Sequence, residues 1–329
     1  MALDYQSQKE KRLSIFHKNK ETVKEGLVIK STGSWYTVKT DDGEIHDCRI
    51  KGRFRMEGIR TTNPISVGDI VKFNMEKDAN VIVKINDRKN YIIRKSTNLS
   101  KSSQIIAANI DHAFLIVTVN YPLTTSTFID RFLAAAEAYR IPVNLVFNKV
   151  DRYREEDLVQ LEELKSIYES VGYKCYEVSA KTGLNMDLLK KDMTEKINLL
   201  SGHSGVGKST LINLIQPGLE LKTGEISESH ASGKHTTTFS EMFELDFGGY
   251  IIDTPGIRGF GTFNMDKEEI FHFFPEIFRI SEKCQFHNCT HMHEPKCAVK
   301  RAVENGEIAE SRYDSYWGMM SEDEELKYR

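Results

Sequence analysis

The sequence Gly202-His203-Ser204-Gly205-Val206-Gly207-Lys208-Ser209 has the spacing of a phosphate-binding loop: a glycine, four further residues, then Gly-Lys-Ser. The apolar residues 197–200 before it predict a strand, and residues 209–215 after it predict a helix. Backbone N–H groups at the start of such a helix, together with its dipole, bind anions. The order of strand, loop and helix predicts an α/β domain of the P-loop class, although the motif alone could also describe a chance glycine-rich turn.

Every residue of this loop, and Thr210 after it, is predicted to contact a nucleotide. We expect the Lys208 ammonium to contact the β- and γ-phosphates, where it also has a catalytic role, and the Ser209 hydroxyl to ligate Mg²⁺. Phosphate binding does not distinguish ATP from GTP. The base must therefore be identified from another part of the chain.

A second motif, Asn148-Lys149-Val150-Asp151, identifies the base and precedes the phosphate loop in the chain. It follows residues 142–147, an apolar run that predicts a buried strand. The Asp151 carboxylate can accept hydrogen bonds from both N1–H and the exocyclic amine of guanine, whereas adenine would leave that charge unpaired. The motif therefore predicts GTP, and Asn148 and Lys149 belong to the same predicted site.

A third motif, Ser179-Ala180-Lys181-Thr182-Gly183, follows another predicted strand at residues 175–178. Its backbone N–H groups can donate to guanine O6, and Lys181 can lie against the ring on the side opposite Lys149. Either guanine motif alone could be a surface turn, but two turns that each end a buried strand and lie 28 residues apart favour one guanine site. The residues of this motif assigned to the GTP site are Ser179, Ala180 and Lys181.

Two segments after the phosphate loop are predicted to sense the γ-phosphate. Asp253-Thr254-Pro255-Gly256 follows a short apolar strand, which lets Asp253 hold Mg²⁺ through water and the Gly256 N–H meet the γ-phosphate. Between this segment and the phosphate loop, Gly233-Lys234-His235-Thr236-Thr237-Thr238 lies in a stretch suited to order on nucleotide binding. We expect Thr237 to reach Mg²⁺. The alternative is a merely flexible polar loop.

The hydrolytic step lacks one usual group. Ile257 follows Gly256, so that no side chain there can orient the attacking water as a glutamine does in many GTPases. His235 is the best internal candidate, because an imidazole can hold or deprotonate water at neutral pH. Other interpretations stay open: a structural histidine, a group supplied by a partner, or a protein that is slow on its own.

Residues 22–98 predict a different fold, a small β-barrel of the OB type. Short apolar segments with strand-like alternation are separated by turn residues, and no helical periodicity competes with them. The basic run at residues 49–55 could follow a phosphate backbone while its one aromatic residue stacks on a base. The alternative is a strand edge protected by charge. The residues predicted to bind RNA are Arg49, Lys51, Arg53, Phe54 and Arg55.

Charge and composition constrain the partners. Residues 1–100 contain 20 Lys and Arg against 13 Asp and Glu, whereas the other 229 residues contain 25 against 35, so a polyanionic partner is expected at the basic end. Residues 1–21 form a basic tail without the apolar segment of a secretory signal, and no apolar run approaches the roughly 20 residues that cross a bilayer. We expect a cytoplasmic protein with no membrane partner, and a monomer because nothing in the sequence demands a dimer.

Residues 264–329 predict a small helical domain that holds a metal ion. Its cysteines and one histidine form the pattern C-x4-C-x-H-x5-C. Three thiolates and one imidazole saturate a tetrahedral Zn²⁺ and leave no position for catalytic water, so that a structural zinc ion is expected. Unmetallated surface cysteines are the alternative, and His287 and His293 are spare candidates. The predicted ligands are Cys284, Cys289, His291 and Cys297.

The order of the motifs is unusual for a GTPase, because the guanine motifs precede the phosphate loop. With the flanking barrel and the Cys/His pattern, this order resembles the RsgA (YjeQ) family of circularly permuted GTPases over about residues 22–318. The resemblance implies an OB domain, a permuted GTPase domain at residues 99–263 and a C-terminal zinc domain. It also implies GTP hydrolysis to GDP stimulated by the small ribosomal subunit and its rRNA during late maturation, and it points to His235 as a catalytic residue.

Two other functions stay open. The chain could be a GTP-regulated switch for a protein or membrane partner outside the ribosome, or a nucleotide-binding scaffold with negligible catalysis, which Ile257 favours. Because the segment after Asp253 runs directly into the C-terminal domain, we also expect reordering around the γ-phosphate to shift that domain relative to the barrel. The hypothesis is a GTP-dependent clamp on rRNA.

Overall fold

The computed structural model contains a β-barrel, an α/β domain and a small helical domain. It describes residues 23–50, 64–76, 79–95, 103–219, 240–253 and 266–322. The barrel strands are β1 (Val23–Ser31), β2 (Trp35–Thr40), β3 (Ile45–Ile50), β4 (Ile70–Asn74) and β5 (Asn80–Ile85). They pair in the order β1-β2-β3-β5-β4, and β4 pairs back with β1, which closes the barrel.

Alternating burial explains how these strands form a barrel. In β2, Tyr36 and Val38 point into the core, whereas Trp35 is exposed. Four of the five strands were predicted from alternating apolar positions, but in β5 the adjacent Val81 and Ile82 are both buried. The fifth, β3, carries His46, Asp47 and Arg49, which break the apolar pattern, and only Cys48 is buried.

Two further strands, β6 (Tyr91–Lys95) and β7 (Ser103–Ala108), form an antiparallel pair beside the barrel. Val67 of the barrel bridges to Ala107 of β7. The predicted domain boundary between residues 98 and 99 falls in the connection between these paired strands. The boundary remains a prediction.

In its described residues, the α/β domain contains a six-stranded sheet and four α-helices. Its elements are β8 (His112–Val117), α1 (Ser126–Ala138), β9 (Val143–Phe147), α2 (Glu155–Val171), β10 (Lys174–Glu177), α3 (Met186–Met193), β11 (Ile197–Ser201), α4 (Lys208–Ile215), β12 (Ser240–Glu244) and β13 (Tyr250–Asp253). The strand order is β10-β9-β8-β11-β13-β12, and every neighbouring pair is parallel except β12 with β13. All five residues of β9 are buried, as a near-continuous apolar run in a parallel sheet predicts.

The barrel and the α/β sheet are joined edge to edge. β1 pairs antiparallel with β12, so that the barrel continues the α/β sheet. Lys30 Nζ on β1 lies 3.0 Å from Glu241 Oε1 on β12, and Lys39 forms a second ion pair with Glu244. These contacts connect two domains that the sequence predicted separately.

The C-terminal domain packs on the α/β domain. It contains a 3₁₀ helix (Lys267–Phe273), α5 (Pro275–Ser281), α6 (Ala298–Glu304) and α7 (Glu310–Ser321). Ala134 and Ala135 of α1 lie in the same apolar core as these elements. Within the described ranges, none of the helices is both long and apolar enough to span a bilayer.

Candidate functional site

Three predicted motifs lie at one edge of the α/β sheet, where parallel strands end. The guanine motif follows β9, the Ser179 motif follows β10 and the phosphate loop follows β11. β8 and β11 are neighbours, but the helix after β8 leads to β9 and the helix after β11 leads toward β12 on the other side. Such a switch point forms the crevice in which open α/β sheets bind ligands.

Glycines shape the phosphate loop around its neighbours. Gly202 has a φ of 153° and Gly207 a φ of 93°, values that other residues rarely adopt. A Cβ at Gly202 would lie 2.5 Å from the Ile116 carbonyl oxygen, and one at Gly207 would lie 2.5 Å from Asn148 Nδ2. The loop ends where α4 begins at Lys208, so the N-terminus of α4 lies at the crevice.

The loop is held from inside while its outer atoms stay open to solvent. Val206 is fully buried in the core between the sheet and its helices. Lys208 and Ser209 are half-buried, and Ser204, Gly205 and Thr210 are exposed. This arrangement leaves backbone N–H groups accessible to an anion.

The Asn148 side chain joins all three motifs. Its Nδ2 donates to the Val206 carbonyl oxygen at 2.9 Å, and its Oδ1 accepts from the Ala180 N–H at 3.1 Å. Asn148 is only 1% exposed, so both bonds are shielded from water. The sequence predicted Asn148 as a nucleotide contact; in the structure its amide also fixes the loops on either side of the guanine motif.

The Lys149 side chain lies along the phosphate loop. Lys149 has a φ of 65°, and its ammonium donates to the backbone carbonyl oxygens of Gly205 and of Tyr121, the latter at 2.7 Å. Burial lowers the pKa of Lys149. The alkyl chain passes close to Gly207, where a Cβ would lie 3.6 Å from Lys149 Cε. The guanine motif and the phosphate loop are therefore in direct contact.

Asp151 and Ser179 meet although 28 residues separate them in the chain. The Ser179 hydroxyl donates to Asp151 Oδ1 at 2.6 Å and accepts from the Thr182 N–H at 3.1 Å. Ser179 is fully buried, whereas Asp151 and Lys181 are exposed. The carboxylate is therefore oriented by the protein and open to a ligand.

The structure adds a contact that sequence reasoning missed, between the phosphate loop and the loop that leads into α1. His203 Nε2 lies 2.6 Å from the Thr124 hydroxyl, and the His203 ring stands at 90° to the Phe128 ring with centroids 5.4 Å apart. Nearby, the Arg152 guanidinium lies 4.9 Å from the centre of the Tyr121 ring. The only sequence signal for this loop is its run of threonine and serine before a helix, which is typical of an N-cap.

The remaining predicted site residues lie near the ends of the described ranges or outside them. The backbone of Asp253 ends β13, which is paired with β11 and so brings this position to the edge that carries the phosphate loop. Arg49 is exposed on β3, opposite Trp35 on β2. The predicted residues outside the described ranges are Lys51, Arg53, Phe54, Arg55, His235, Thr237 and Gly256.

The four predicted metal ligands come together in the C-terminal domain. Their donor atoms all lie within 4.8 Å of one another. Cys284 Sγ and Cys297 Sγ are 3.8 Å apart, and His291 Nδ1 lies 3.6 and 3.5 Å from them. A tetrahedral zinc site with Zn–S bonds of about 2.3 Å has S···S edges of about 3.8 Å and S···N edges of about 3.6 Å. The geometry therefore fits a tetrahedral ion.

The surroundings of this cluster keep its ligands neutral when no metal ion is bound. Burial raises the pKa of the Cys289 thiol to about 12 and lowers the pKa of His291. Thiols in such a place ionise only if a metal ion balances their charge. Helix α7 supports the loop, because the Tyr313 and Tyr316 hydroxyls donate to the carbonyl oxygens of His291 and Thr290, both at 2.6 Å. The exposed His287 and His293 lie outside the cluster.

Comparison with known proteins identifies the family. Residues 25–83 match the model of the RsgA N-terminal domain, and residues 85–263 match the model of the RsgA GTPase. The chain belongs to the RsgA GTPase family. The resemblance predicted from the motif order is therefore confirmed, and so is the fold class, an OB-like barrel followed by a circularly permuted GTPase domain and a C-terminal Cys/His domain.

Curated RsgA proteins match along almost their whole length. The chain is 62% identical over 305 residues to "Small ribosomal subunit biogenesis GTPase RsgA 2" of Bacteroides thetaiotaomicron, covering 92% of this chain and 98% of that protein. It is 56% identical over 309 residues to "Small ribosomal subunit biogenesis GTPase RsgA" of Christiangramia forsetii, covering 93% and 98%. Membership in this family makes the chain a GTPase.

Two solved structures share the architecture. The crystal structure of YjeQ from Thermotoga maritima superimposes with a TM-score of 0.75 at 37% identity, covering 91% of this chain and 97% of that one. The crystal structure of YloQ, described as a circularly permuted GTPase, gives a TM-score of 0.73 at 30% identity, covering 93% and 97%. The reversed order of the guanine and phosphate motifs in this RsgA family member is thus a circular permutation.

Proposed function

We propose that this chain binds GTP in the crevice and hydrolyses it to GDP during late maturation of the small ribosomal subunit. The observation that carries the proposal is the Asn148 junction, which unites the guanine motif, the Ser179 loop and the phosphate loop. The names of the relatives support the ribosomal part, since proteins that match over at least nine-tenths of the chain are named for small-subunit biogenesis.

Asp151 reads the base by accepting from N1–H and the exocyclic amine of guanine, while Ser179 keeps its carboxylate in place. The backbone N–H of Lys181 meets guanine O6, because the N–H of Ala180 already donates to Asn148. The Lys149 alkyl chain covers one face of the base. The base is thereby held by residues that follow two neighbouring strands, β9 and β10.

The phosphates lie along the backbone N–H groups of residues 202–209, which include His203 and Ser204. Thr210, the next residue, also contacts the nucleotide. Lys208 neutralises charge that develops on the β- and γ-phosphates, and the Gly256 N–H meets the γ-phosphate. Mg²⁺, when bound, neutralises further phosphate charge and is held by Ser209, Thr237 and Asp253. His235 holds the attacking water in place of the missing glutamine.

The Cys284, Cys289, His291 and Cys297 cluster holds one Zn²⁺, which has a structural role because four protein ligands leave no open position. The basic run from Arg49 to Arg55, with Phe54, contacts rRNA. The protein acts as a cytoplasmic monomer with no membrane partner. These assignments make the rRNA of the small subunit a partner of the N-terminal barrel.

Turnover of GTP titrated with purified small subunits tests the function. Wild type should be stimulated, whereas Lys208→Ala should lose the stimulated rate; Lys191→Ala, which removes an exposed lysine on α3, is the matched control. A rate that survives in Lys208→Ala means that the activity does not arise at this loop. Stimulation absent from wild type would leave only a nucleotide-binding scaffold.

Base recognition has its own test. Asp151→Asn replaces an acceptor pair by an amide that can donate to the 2-carbonyl of xanthine, so nucleotide preference should move from GTP toward XTP by at least about tenfold. Asp187→Asn, an exposed carboxylate at the start of α3, should keep the preference for GTP. Equal competition by ATP in wild type would contradict the assignment of Asp151.

A further inference from the structure

The first two turns of α1 are contacted by the phosphate loop. The His203 ring packs edge-on against Phe128 of α1, and its Nε2 lies 2.6 Å from the Thr124 hydroxyl just before the helix. Thr124 is 4% exposed, and its oxygen also accepts from the Thr118 N–H at 3.0 Å. A side chain of the nucleotide-binding loop is therefore fixed to the start of a helix that follows a different strand.

The hydrogen bonds around His203 are mutually consistent. Because the Ser204 carbonyl oxygen can only accept, Nδ1 carries the proton of the neutral His203 ring, and Nε2 accepts from the Thr124 hydroxyl, whose oxygen accepts from the Thr118 N–H. His203 Nδ1–H then donates to the Ser204 carbonyl oxygen at 3.0 Å within the loop itself. The planar His203 ring therefore connects the loop backbone at Ser204 with Thr124.

The same two turns of α1 are held by the C-terminal domain. Arg312 of α7 donates to Asp130 Oδ1 at 2.7 Å and to Glu276 Oε1 of α5 at 2.7 Å. The Tyr168 hydroxyl of α2 donates to the same Asp130 oxygen at 2.9 Å. The Arg312 and Asp130 side chains are 1% and 0% exposed, so that water does not screen this pair.

The two contacts are close along the helix. Phe128 and Asp130 are two residues apart, a rise of about 3 Å, and Thr124 precedes Asp130 by six residues. One end of the group formed by Thr124, Phe128 and Asp130 touches the phosphate loop and the other touches the C-terminal domain. Because packed cores resist continuous deformation, a displacement at the phosphate loop should also displace the residues that contact the C-terminal domain.

We propose that Thr124 and His203 are positioning residues which couple the phosphate loop to the C-terminal metal domain. Nucleotide phosphates that settle into the loop reposition His203, His203 shifts the start of α1 through Thr124, and Asp130 passes the shift to α7 through Arg312. The proposal rests on GTP binding as stated above and adds a regulatory connection to it. Coupling is reciprocal, so a partner bound to the metal domain changes nucleotide affinity by the same factor.

Amide hydrogen exchange of the zinc-loaded full chain tests the proposal without ribosomes. Exchange in α7 is measured with and without a saturating non-hydrolysable GTP analogue, with saturation verified for each variant by titration. In wild type and in Thr124→Ser, which keeps the hydroxyl, the analogue should change α7 exchange by at least about fivefold, the lower end of usual coupling. In Thr124→Val the change should fall below about twofold.

A second variant changes the contacts of Asp130, where α1 meets the C-terminal domain. Tyr168→Phe removes only the hydroxyl that bonds Asp130 and should also weaken the response of α7. Two matched controls should keep the wild-type response: Tyr173→Phe, whose hydroxyl bonds Glu137 at the other end of α1 at 3.1 Å, and Thr194→Val, whose hydroxyl bonds the Lys190 carbonyl at 2.9 Å. Tyr168→Phe decides the question if Thr124→Val does not fold.

The outcomes separate this proposal from the function it rests on. A wild type that fails to bind the analogue overturns both. A wild type that binds the analogue with unchanged α7 exchange overturns the coupling alone. The coupling is also overturned if Tyr168→Phe and a folded Thr124→Val respond like wild type, or if the two controls lose as much response as these variants do.

Discussion

Replacing Arg312 by methionine should strongly destabilise the C-terminal domain, because the change strands two carboxylates in the interior. Asp130 and Glu276 are 0% and 4% exposed at the side chain, and both bond Arg312 at 2.7 Å. Removing one partner of a buried ion pair costs about 3–5 kcal/mol. At a urea dependence of about 2 kcal/mol per molar, the midpoint should fall by about 1.5–2.5 M.

Tryptophan fluorescence can follow the unfolding of the C-terminal domain itself. The sequence has 2 tryptophans, so a Trp35→Phe background leaves Trp317 on α7 as the reporter of C-terminal unfolding. Arg301→Met, an exposed arginine on α6, is the control and should shift the midpoint by less than about 0.5 M.

A rescue variant distinguishes charge from packing. Arg312→Met combined with Asp130→Asn and Glu276→Gln removes the stranded charges and should recover more than half of the loss. If the triple variant is no more stable than Arg312→Met alone, the loss comes from packing of the arginine against Phe274, whose ring centre lies 4.8 Å from the guanidinium. If Arg312→Met has the same urea midpoint as the Arg301→Met control, the two stranded carboxylates do not destabilise the domain and the prediction is refuted.

Three further predictions concern the phosphate loop, the metal and pH. Gly207→Ala should weaken GTP binding at least about tenfold in a titration, because its Cβ would lie 2.5 Å from Asn148 Nδ2; Gly306→Ala, with a similarly positive φ but open space, should bind normally. Chelation of the metal, or Cys289→Ser, should unfold the C-terminal helices as measured by circular dichroism, and metal analysis should find one zinc per wild-type chain. Burial and the neighbouring Lys196 lower the pKa of His112, so this residue contributes stability above its unfolded pKa of about 6.5 that is lost as pH falls below it. His112→Gln should reduce the fall of the urea midpoint at acid pH. A midpoint that falls with pH as steeply as in wild type would contradict this assignment.

The buried contacts of α1 also bear on the clamp hypothesis. That hypothesis, drawn from the sequence, moves the C-terminal domain through the chain segment after Asp253, which lies outside the described residues. The structure adds a second physical connection, in which Ala134 and Ala135 share an apolar core with the C-terminal helices and Asp130 bonds Arg312. A motion of this domain would therefore have to displace α1 or break buried bonds.

Local pattern was sufficient for many of the described strands and helices and for the motifs that meet at the crevice. Period-two alternation predicted four barrel strands, and the buried run at residues 143–147 predicted a central strand, because these patterns are set by which face each side chain presents. The phosphate and guanine motifs were visible because their chemistry needs fixed spacings within a few residues. The Cys/His pattern predicted a cluster that the fold does assemble.

The sequence by itself thus determined four barrel strands, the central strands of the α/β domain, the nucleotide motifs, their permuted order and the set of Cys/His residues that cluster. Only the tertiary structure decided that Asn148 bonds two other loops, that His203 bonds Thr124, and that Arg312 is buried against α1. Polar side chains are usually at the surface, and nothing in their own neighbourhood reveals a partner 79 or 182 residues away. Such pairs form because folding removes them from water together, and a buried polar group is stable only when it is hydrogen-bonded.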